Sequence, residues 1–341
     1  MKKAIYVTHP AAKIYRADGM IAANIDKQRV DRWALDDVER VLLFGSAQIT
    51  TTAVHLLLKH RIPLFLLSRS GRLRGQIVAP EEGNIFLRMA QHARFGDMEF
   101  RLEFARSIVA KKIRGDVEIV MRYMRNHPDT AEMLSPKVER MRQMVGCLDS
   151  AANSTTLMGL EGAAASAWFE AFHIMVKPPF LFERRSKHPA HNEVNALLNL
   201  GFTLLALEVE SRLETAGLDP RIGYYHGIRY GRSSLALDMM EPHRPAVSRM
   251  VLSVLNRRMV SLNDFEKTDA GVRMNKETLH RFVGVFEASM GDVVPQGKSV
   301  REQLHNELTE LRRKIMEPSL PDEEMDPPWG DTQAAQAEPP C

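Results

Sequence analysis

The segment VLLFGSAQITTTAVHLLLKHRIPLFLLSRSGRLRGQI, residues 41–77, decides the fold class of the first part of the chain. It predicts an apolar strand ending at Gly45, a short helix capped by threonines, and a second, wholly apolar strand. A hairpin turn around Gly71 follows. Together with the earlier strand-like runs AIYVTH and MIAANID, this segment predicts a small β-rich domain over residues 1–84.

The pattern of the chain changes at about residue 85. From there apolar residues recur at a spacing of three to four among Arg, Lys and Glu, which predicts helices. One long helix closes at Gly217, and another is bent or broken near Pro242 and Pro245. We therefore expect an α+β protein in which a larger, all-α catalytic domain covers residues 85–316. The acidic, proline-rich tail, 317–341, is predicted to be disordered.

The charge of the chain is unevenly distributed. The formal net charge is +3, but the tail from Glu317 holds seven acids and no Lys or Arg, so residues 1–316 carry +10. Such a basic body is suited to phosphates. The two cysteines, Cys147 and Cys341, exclude a disulfide framework and a cysteine-based zinc site. Without a signal-like or membrane-spanning apolar run, the chain is expected to be cytoplasmic and to contact no membrane.

A candidate metal site lies in GYYHGIRYGRSSLALDMMEPHRP, residues 223–245. Asp238 and Glu241 are three residues apart and share a helix face, and His226 precedes them. Oxygen and imidazole ligands of this kind suit Mg²⁺ or Mn²⁺, and Glu161, at the start of a small-residue helix, is the best third acid. A solvated helix face is the alternative for this pair of acids taken alone, and ion pairing of a buried Asp238 with Arg232 or Arg244 is also open.

Other motifs carry less information. The run ERRSK at 183–187 is either an exposed loop or a phosphate contact. His173, on an apolar face, is expected to be a hydrogen-bonded core histidine. The glycine-rich and nucleophile-elbow motifs of nucleotide hydrolases, dehydrogenases and α/β-hydrolases are absent from the sequence, so those chemistries have no support.

In this order and spacing, several segments resemble the CRISPR-associated endonuclease/integrase, the first of the two core proteins of CRISPR adaptation. The resemblance covers the whole chain except the acidic tail. The segments that carry it are residues 41–77, LEGAAASAWFEAF (160–172), NEVNALLNLGFTLL (192–205), GLDPRIGYYHG (217–227) and SLALDMMEPHRP (234–245).

The resemblance implies a catalytic site. A divalent metal, Mg²⁺ or Mn²⁺, would be held by Glu161, His226 and Glu241, and Asp238 would support them as a further catalytic acid. Asn192 stands where the family often has an aspartate, which affects the geometry of the basic loop and not the metal site.

The resemblance also implies an activity and partners. The chain would insert short duplex prespacers into a CRISPR array by attack of a 3′-hydroxyl on repeat phosphodiesters, and with water it would nick DNA. It would form a homodimer, with dimer and partner contacts in the β-rich domain, and two dimers would be bridged by a small second CRISPR-associated protein. Phosphates of double-stranded DNA would be contacted by Arg184, Arg185, Lys187, Arg229, Arg232 and Arg244.

Two other functions remain open from the sequence. The same residues would serve a stand-alone metal-dependent nuclease that acts on branched DNA in repair. A DNA-binding scaffold without catalysis is the third possibility, and it would be favoured if the metal ligands did not converge.

Overall fold

The computed structural model describes residues 3–79, 85–187, 189–269, 271–292 and 297–317. The predicted domain boundary at residue 84 and the predicted disorder of the tail beyond residue 317 lie outside these ranges. The β-rich region followed by a mostly helical region confirms the predicted α+β class.

The N-terminal region contains two four-stranded sheets. The first has the strand order β1-β5-β7-β8 and the second β4-β3-β2-β6. Strands β1, β5 and β7 run parallel, and β8 closes the first sheet as an antiparallel hairpin with β7. The elements are β1 (Lys3–Val7), β2 (Ala12–Ala17), β3 (Met20–Ile25), β4 (Gln28–Trp33), β5 (Val38–Phe44), β6 (Gln48–Ile49), α1 (Thr51–Lys59), β7 (Leu64–Leu67) and β8 (Leu73–Ile77).

Strand β5 is apolar on both faces because it separates two hydrophobic cores. Val41 and Leu43 pack into the small N-terminal core with α1, whereas Leu42 and Phe44 belong to the large core of the helical region. Successive side chains of a strand point to opposite faces, so a strand buried on both sides reads as a continuous apolar run. This explains why polar and apolar residues do not alternate over residues 41–44.

The helical region is built around a buried central helix, α6 (Glu193–Thr215). It is long and apolar enough to cross a membrane, but 78% of its most apolar 18 residues are buried inside the protein, as in the core helix of a globular protein. Gly217 ends it in the left-handed region, as predicted, with φ +79°. The other helices are α2 (Ile85–Gly96), α3 (Met98–Asn126), α4 (Ala131–Cys147), α5 (Ser154–Met175), α7 (Ser234–Met240), α8 (Arg244–Asn256), α9 (Lys276–Gly291) and α10 (Val300–Met316).

Two features of this region differ from the sequence-based expectation. The region is not all-α, because the antiparallel strands β9 (Phe265–Thr268) and β10 (Gly271–Met274) form a hairpin against α6. Helix α5 begins at Ser154, so Glu161 lies two turns inside the helix and does not open it. The predicted break between α7 and α8 is confirmed, since a single 3-10 turn, Glu241–His243, separates them.

A buried ionic cluster joins the two regions. Arg40 of β5 is fully buried and pairs with Glu208 of α6, which also accepts hydrogen bonds from Arg212 at 2.8 Å and from Arg301 of α10 at 3.2 Å. Arg301 in turn binds Glu287 of α9 at 2.8 Å. Because three arginines surround one carboxylate, Glu208 is compensated although it lies in the protein interior.

Candidate metal and DNA site

Asp238 organises the loop that carries His226. Its Oδ2 accepts hydrogen bonds from the backbone N–H groups of Tyr224 at 2.7 Å and Tyr225 at 2.9 Å. Its Oδ1 accepts from the backbone N–H of His226 at 2.8 Å and lies 2.7 Å from the Nδ1 atom of the same residue. The loop must approach closely for this, since a Cβ atom at Gly223 would lie 2.9 Å from Asp238 Oδ2 and 2.7 Å from the Ser234 backbone.

Helix α3 fixes the other side of this loop. The ring of Tyr224 packs edge-on against Phe100 and Phe104, with ring centroids 5.0 and 5.4 Å apart. Arg101 Nε donates to the Tyr224 carbonyl oxygen at 3.2 Å. These contacts hold His226 at one position on the surface of the helical region.

The open alternative for Asp238, an ion pair with an arginine, is wrong. Arg232 donates to the Gly227 carbonyl oxygen and to Ser234 Oγ, and Arg244 Nε donates to Glu241 Oε1 at 2.7 Å. The buried carboxylate of Asp238 is satisfied instead by the loop backbone and the imidazole, as a buried charge requires.

Glu161 and Glu241 converge on one cation, the ammonium group of Lys112. Lys112 lies in the middle of α3, and its Nζ contacts Glu161 of α5 and lies 2.7 Å from Glu241 Oε2. The ammonium therefore stands between two carboxylates that are 80 positions apart in the chain. Lys112 was not predicted, because nothing in its local sequence pattern separates it from the other basic residues of α3.

The charges around Glu241 set its ionisation. Burial alone would raise the pKa of Glu241, but Arg244 and Lys112 lower the pKa to about 2. For Lys112, burial lowers the pKa and the carboxylates of Glu241 and Glu161 more than reverse the effect. The lysine and Glu241 are therefore both charged at neutral pH.

A fourth acid, Asp116, lies next to this group and was also missed. It follows Lys112 by one turn of α3 and is 5% exposed. Burial raises the pKa of Asp116 to about 8, and the Lys112 ammonium opposes this only in part. An aspartate interrupting the apolar face of a helix, between Ile113 and Val117, is the signal in the sequence that could have revealed it.

The fit of a divalent cation depends on the donor atoms of Glu161, Glu241 and His226. Glu161 and Glu241 already share a positive charge, and Oε2 of Glu241 is buried without an aligned hydrogen bond, although it pairs with Lys112. Within the described ranges, the side chains of His, Cys, Asp and Glu include no group of three that could hold a metal ion as they stand. The two glutamates share one cation between them, whereas His226, whose Nδ1 is engaged by Asp238, does not complete a three-residue metal site with them in the described part of the chain.

The six residues predicted to contact phosphate fall into two groups. Arg184, Lys187 and Arg229 are exposed. Arg185, Arg232 and Arg244 are partly buried and brace the protein itself: Arg185 donates to Asn195 Oδ1 at 3.0 Å, and burial lowers its pKa to about 10. Arg185 and Arg244 also lie over the ring of Phe202, with guanidinium carbons 5.5 and 4.8 Å from the ring centroid.

A basic groove that the sequence analysis missed lies beside the site. Its volume is about 940 Å³, and its wall includes Pro242 and His243, which directly follow Glu241. Burial lowers the pKa of Arg249. The neighbouring Arg122 cation lowers this pKa further, because the two positive charges repel each other. The cationic residues along the groove are Lys111, Arg114, Arg122, Arg125, Arg142 and Arg249.

His173 is not a core residue, which corrects the expectation for it. It is exposed on α5, although its Nδ1 does have a partner, the carbonyl oxygen of Phe182. The helix face that carries His173 is therefore not continuous with the apolar core.

The comparison with protein families identifies the chain. The family model described as CRISPR associated protein Cas1 matches residues 5–288. The chain belongs to the Cas1 family. This match includes both sheets of the N-terminal region, Glu161, the His226 loop and Glu241.

Curated Cas1 relatives occur alone and as fusions. The CRISPR-associated endonuclease Cas1 2 of Rhodospirillum rubrum is 34% identical over 277 residues, which are 78% of this chain and 80% of that protein. The Cas4 exonuclease/Cas1 endonuclease fusions of R. rubrum and Geobacter sulfurreducens are each 31% identical. The alignments with the two fusions cover 83% and 84% of this chain. They cover only 50% and 52% of the fusions, so this chain spans about half the length of those relatives.

Solved Cas1 structures share the fold. The Cas1 protein TM1797 of Thermotoga maritima superposes with a TM-score of 0.80 at 25% identity, covering 95% of this chain and 100% of that one. A casposase bound to an integration product has the same fold, with a TM-score of 0.80 at 21% identity over 96% of this chain and 95% of that chain.

Proposed function

We propose that this Cas1 family member is a metal-dependent DNA endonuclease and integrase, which joins the 3′-hydroxyl of a short duplex prespacer to a phosphodiester of a CRISPR repeat. The observation that carries the proposal is the convergence of Glu161 and Glu241 on one cation, beside a histidine held by a buried aspartate. Curated relatives named as Cas1 endonucleases support the nuclease class.

Glu161, His226 and Glu241 would hold Mg²⁺ or Mn²⁺. When bound, such an ion lowers the pKa of an attacking hydroxyl and neutralises charge that develops on the phosphate. Asp238 would accept a hydrogen bond from Nδ1 of His226, which leaves Nε2 as the ring nitrogen that can bind a metal. Arg244 holds Glu241 through Oε1 and leaves Oε2 for the cation.

The basic surfaces would position the DNA. Arg184, Lys187 and Arg229 on exposed loops, and the cations of the groove between α3, α4 and α8, would offer positive charge to the phosphate backbone. Contacts of this kind provide affinity and salt dependence without sequence preference. Because burial and the neighbouring Arg122 cation lower the pKa of Arg249, a polyanion in the groove would relieve an existing electrostatic cost.

A disintegration assay on a branched DNA substrate tests the proposal. We expect the wild-type chain to release the branch with Mg²⁺ or Mn²⁺ and not with a chelator. His226→Ala, Glu161→Gln and Glu241→Gln should each lower the rate by about a hundredfold or more, since a metal supplies several kcal/mol of transition-state stabilisation. His305→Ala, which changes an exposed histidine on α10, is the matched control and should keep the wild-type rate.

The assay also separates the competing functions. Disintegration together with half-site integration into a leader-repeat duplex supports the integrase. Cleavage of branched DNA without integration, in the presence of the small second CRISPR-associated protein, would instead support a repair nuclease. A chain that binds DNA and performs neither reaction would be a scaffold, and the proposed metal chemistry would then be wrong.

The assembly predictions belong to the same proposal. A structural neighbour is titled as a complex of Cas6-RT-Cas1 with Cas2, with a TM-score of 0.83 at 23% identity over 93% of this chain and 35% of that one, which shows the shared fold. We propose that this chain likewise forms a homodimer, and that two dimers join through a small partner protein in a prokaryotic cytoplasm. Light scattering of the chain alone and with the partner measures both steps.

A further inference from the structure

Lys112 holds the position between the two predicted glutamate ligands. Its side chain is 15% exposed, and its ammonium contacts Glu161 on one side and Glu241 Oε2, at 2.7 Å, on the other. The contact joins three separate elements, α3, α5 and the 3-10 turn after α7. Glu241 is 5% exposed at its side chain, so one of the two carboxylates is almost completely shielded from water.

Two carboxylates held this close need a cation. Their mutual repulsion is large where water is excluded, and a compact ammonium group between them offsets it. The ammonium and a divalent ion are alternatives for this position, because Mg²⁺ needs carboxylate oxygens at about 2.0–2.1 Å and a full coordination shell around it. An ammonium at 2.7 Å from Glu241 Oε2 occupies the approach that such an ion requires.

We propose that Lys112 is an internal counter-cation, which holds Glu161 and Glu241 together in the metal-free protein and is displaced when a divalent ion enters. This inference rests on the proposed function, because it takes the two glutamates as metal ligands. The lysine is a positioning residue: it acts through the glutamates and sets how strongly they bind the ion.

The fold provides a place for the displaced ammonium. Asp116 lies four residues after Lys112, on the same face of α3, and the Lys112 ammonium already lowers the pKa of this carboxyl, which burial raises to about 8. A closer ammonium would favour its ionised form further. The lysine side chain is long and flexible, so its ammonium can move toward Asp116 without a change in the helix. Metal uptake is then an exchange of one cation for another, in which the lysine lowers the apparent affinity for the ion.

The test compares metal binding by the full chain and its variants, with Mn²⁺ as the probe. Isothermal titration and the electron paramagnetic resonance signal of free Mn²⁺ both report the Kd. Lys112→Met should bind Mn²⁺ at least about tenfold more tightly than wild type, because a like charge next to the ligands is removed. Lys112→Arg keeps the charge and should stay near the wild-type Kd.

Thermal melting gives a second measurement. With chelator, Lys112→Met should melt at a lower temperature than wild type, since its two glutamates repel each other without a cation, and excess Mn²⁺ should reverse the loss. The matched control is Lys137→Met, which removes a lysine that pairs with Glu170 at 2.6 Å on the exposed surface. The control should change neither the Kd nor the gain in melting temperature with Mn²⁺.

The outcomes distinguish the two proposals. If Lys112→Met is folded and binds Mn²⁺ no more tightly than wild type, while disintegration still requires the metal, the role of Lys112 is refuted and the metal-dependent function stands. If neither chain binds Mn²⁺ and disintegration persists with chelator, both proposals fail. Should Lys112→Met not fold with chelator, Lys112→Gln, refolded with excess Mn²⁺ and titrated after dialysis, gives the same comparison.

Discussion

One carboxylate oxygen of Asp238, Oδ1, lies 2.8 Å from the backbone nitrogen of His226 and 2.7 Å from its ring Nδ1. The other oxygen accepts two more backbone hydrogen bonds, from Tyr224 and Tyr225. Asp238 therefore stabilises the loop. It does not bind the cation that Glu161 binds, although it lies only three residues before Glu241. This arrangement explains how the loop holds a partly exposed imidazole in one orientation.

Asp238→Asn should separate the effect of Asp238 on the orientation of the His226 imidazole from its effect on the stability of the protein. The amide keeps one oxygen for the loop backbone but cannot accept the imidazole proton as a carboxylate does, so we expect disintegration to fall by about 10–100-fold with little change in melting temperature. Asp238→Ala leaves three backbone N–H groups without an acceptor and should cost about 1–3 kcal/mol for each that stays unsatisfied. Chelator-controlled disintegration and urea unfolding measure the two effects. Wild-type stability in Asp238→Ala would show that the loop does not depend on this acid.

Arg184 and Arg185 should behave differently, although they are neighbours. Arg184 is exposed, so Arg184→Ala should weaken duplex binding and reduce the salt slope by about 1 while the melting temperature stays constant. Arg185 binds Asn195 and the Ser186 carbonyl oxygen, so Arg185→Ala should lower the melting temperature. Fluorescence anisotropy over a range of salt concentrations measures the first effect. An unchanged slope in Arg184→Ala means that this loop does not touch phosphate.

Glu208 should make the protein sensitive to acid. Burial opposes ionisation of this carboxyl, but Arg40, Arg301 and Arg212 hold its pKa well below the ordinary value of 4.5. A group whose folded-state pKa is lowered stabilises the protein above its unfolded-state pKa, and that contribution is lost as the pH falls below about 4.5.

Glu208→Gln removes this contribution at neutral pH. It removes the closest charge partner of the buried Arg40, which keeps only the longer contacts to Glu39 at 3.6 Å and Glu287 at 3.8 Å, so the free energy of unfolding should fall by about 3–5 kcal/mol at pH 7. The difference from wild type should narrow between about pH 5 and pH 3. Glu170→Gln, in an exposed pair with Lys137, should cost at most about 1 kcal/mol. Urea unfolding across this pH range measures both variants, and a constant difference for Glu208→Gln would contradict the prediction.

Gly71 should be required for the contact between the β7–β8 hairpin and α6. Its φ is +81°, and a Cβ atom there would lie 2.2 Å from Leu200 Cδ1. Gly71→Ala should therefore destabilise the protein by about 1–3 kcal/mol through strain and overpacking. At Gly75, in β8, a Cβ atom meets nothing within 4 Å, so Gly75→Ala should change stability by less than about 1 kcal/mol. Equal effects of the two substitutions in urea unfolding would refute this account.

Local sequence patterns were enough for most of the secondary structure. The apolar runs at 41–44 and 64–67, the capped helix between them and the hairpin at Gly71 all occur as predicted, because strand and helix periods and turn chemistry are properties of short segments. The hairpin of β9 and β10 was missed, since two four-residue strands inside a helical region carry too little periodicity to be recognised.

The contacts between the side chains of the candidate site could be predicted only in part from the sequence. The one-turn spacing of Asp238 and Glu241 suggested a shared role, but the structure gives them different partners: Asp238 the loop backbone, and Glu241 the cations Arg244 and Lys112. Glu161 was predicted as the third acid of the metal site. Its proximity to Glu241 in space could not be derived from the 80 positions that separate them in the sequence. Whether these ligands bind a metal remains a prediction.

The sequence by itself determined the division into a β-rich and a mostly helical region, the basic body with its acidic tail, and the residue types available for a metal and phosphates. Only the tertiary structure decided that Lys112 of α3 stands between Glu161 and Glu241, and that Asp238 holds His226. The physical reason is that periodicity reports which face of an element is buried, whereas an ion pair between three elements depends on their packing distances and rotations. Those are set by the whole core, to which residues far apart in the chain contribute together.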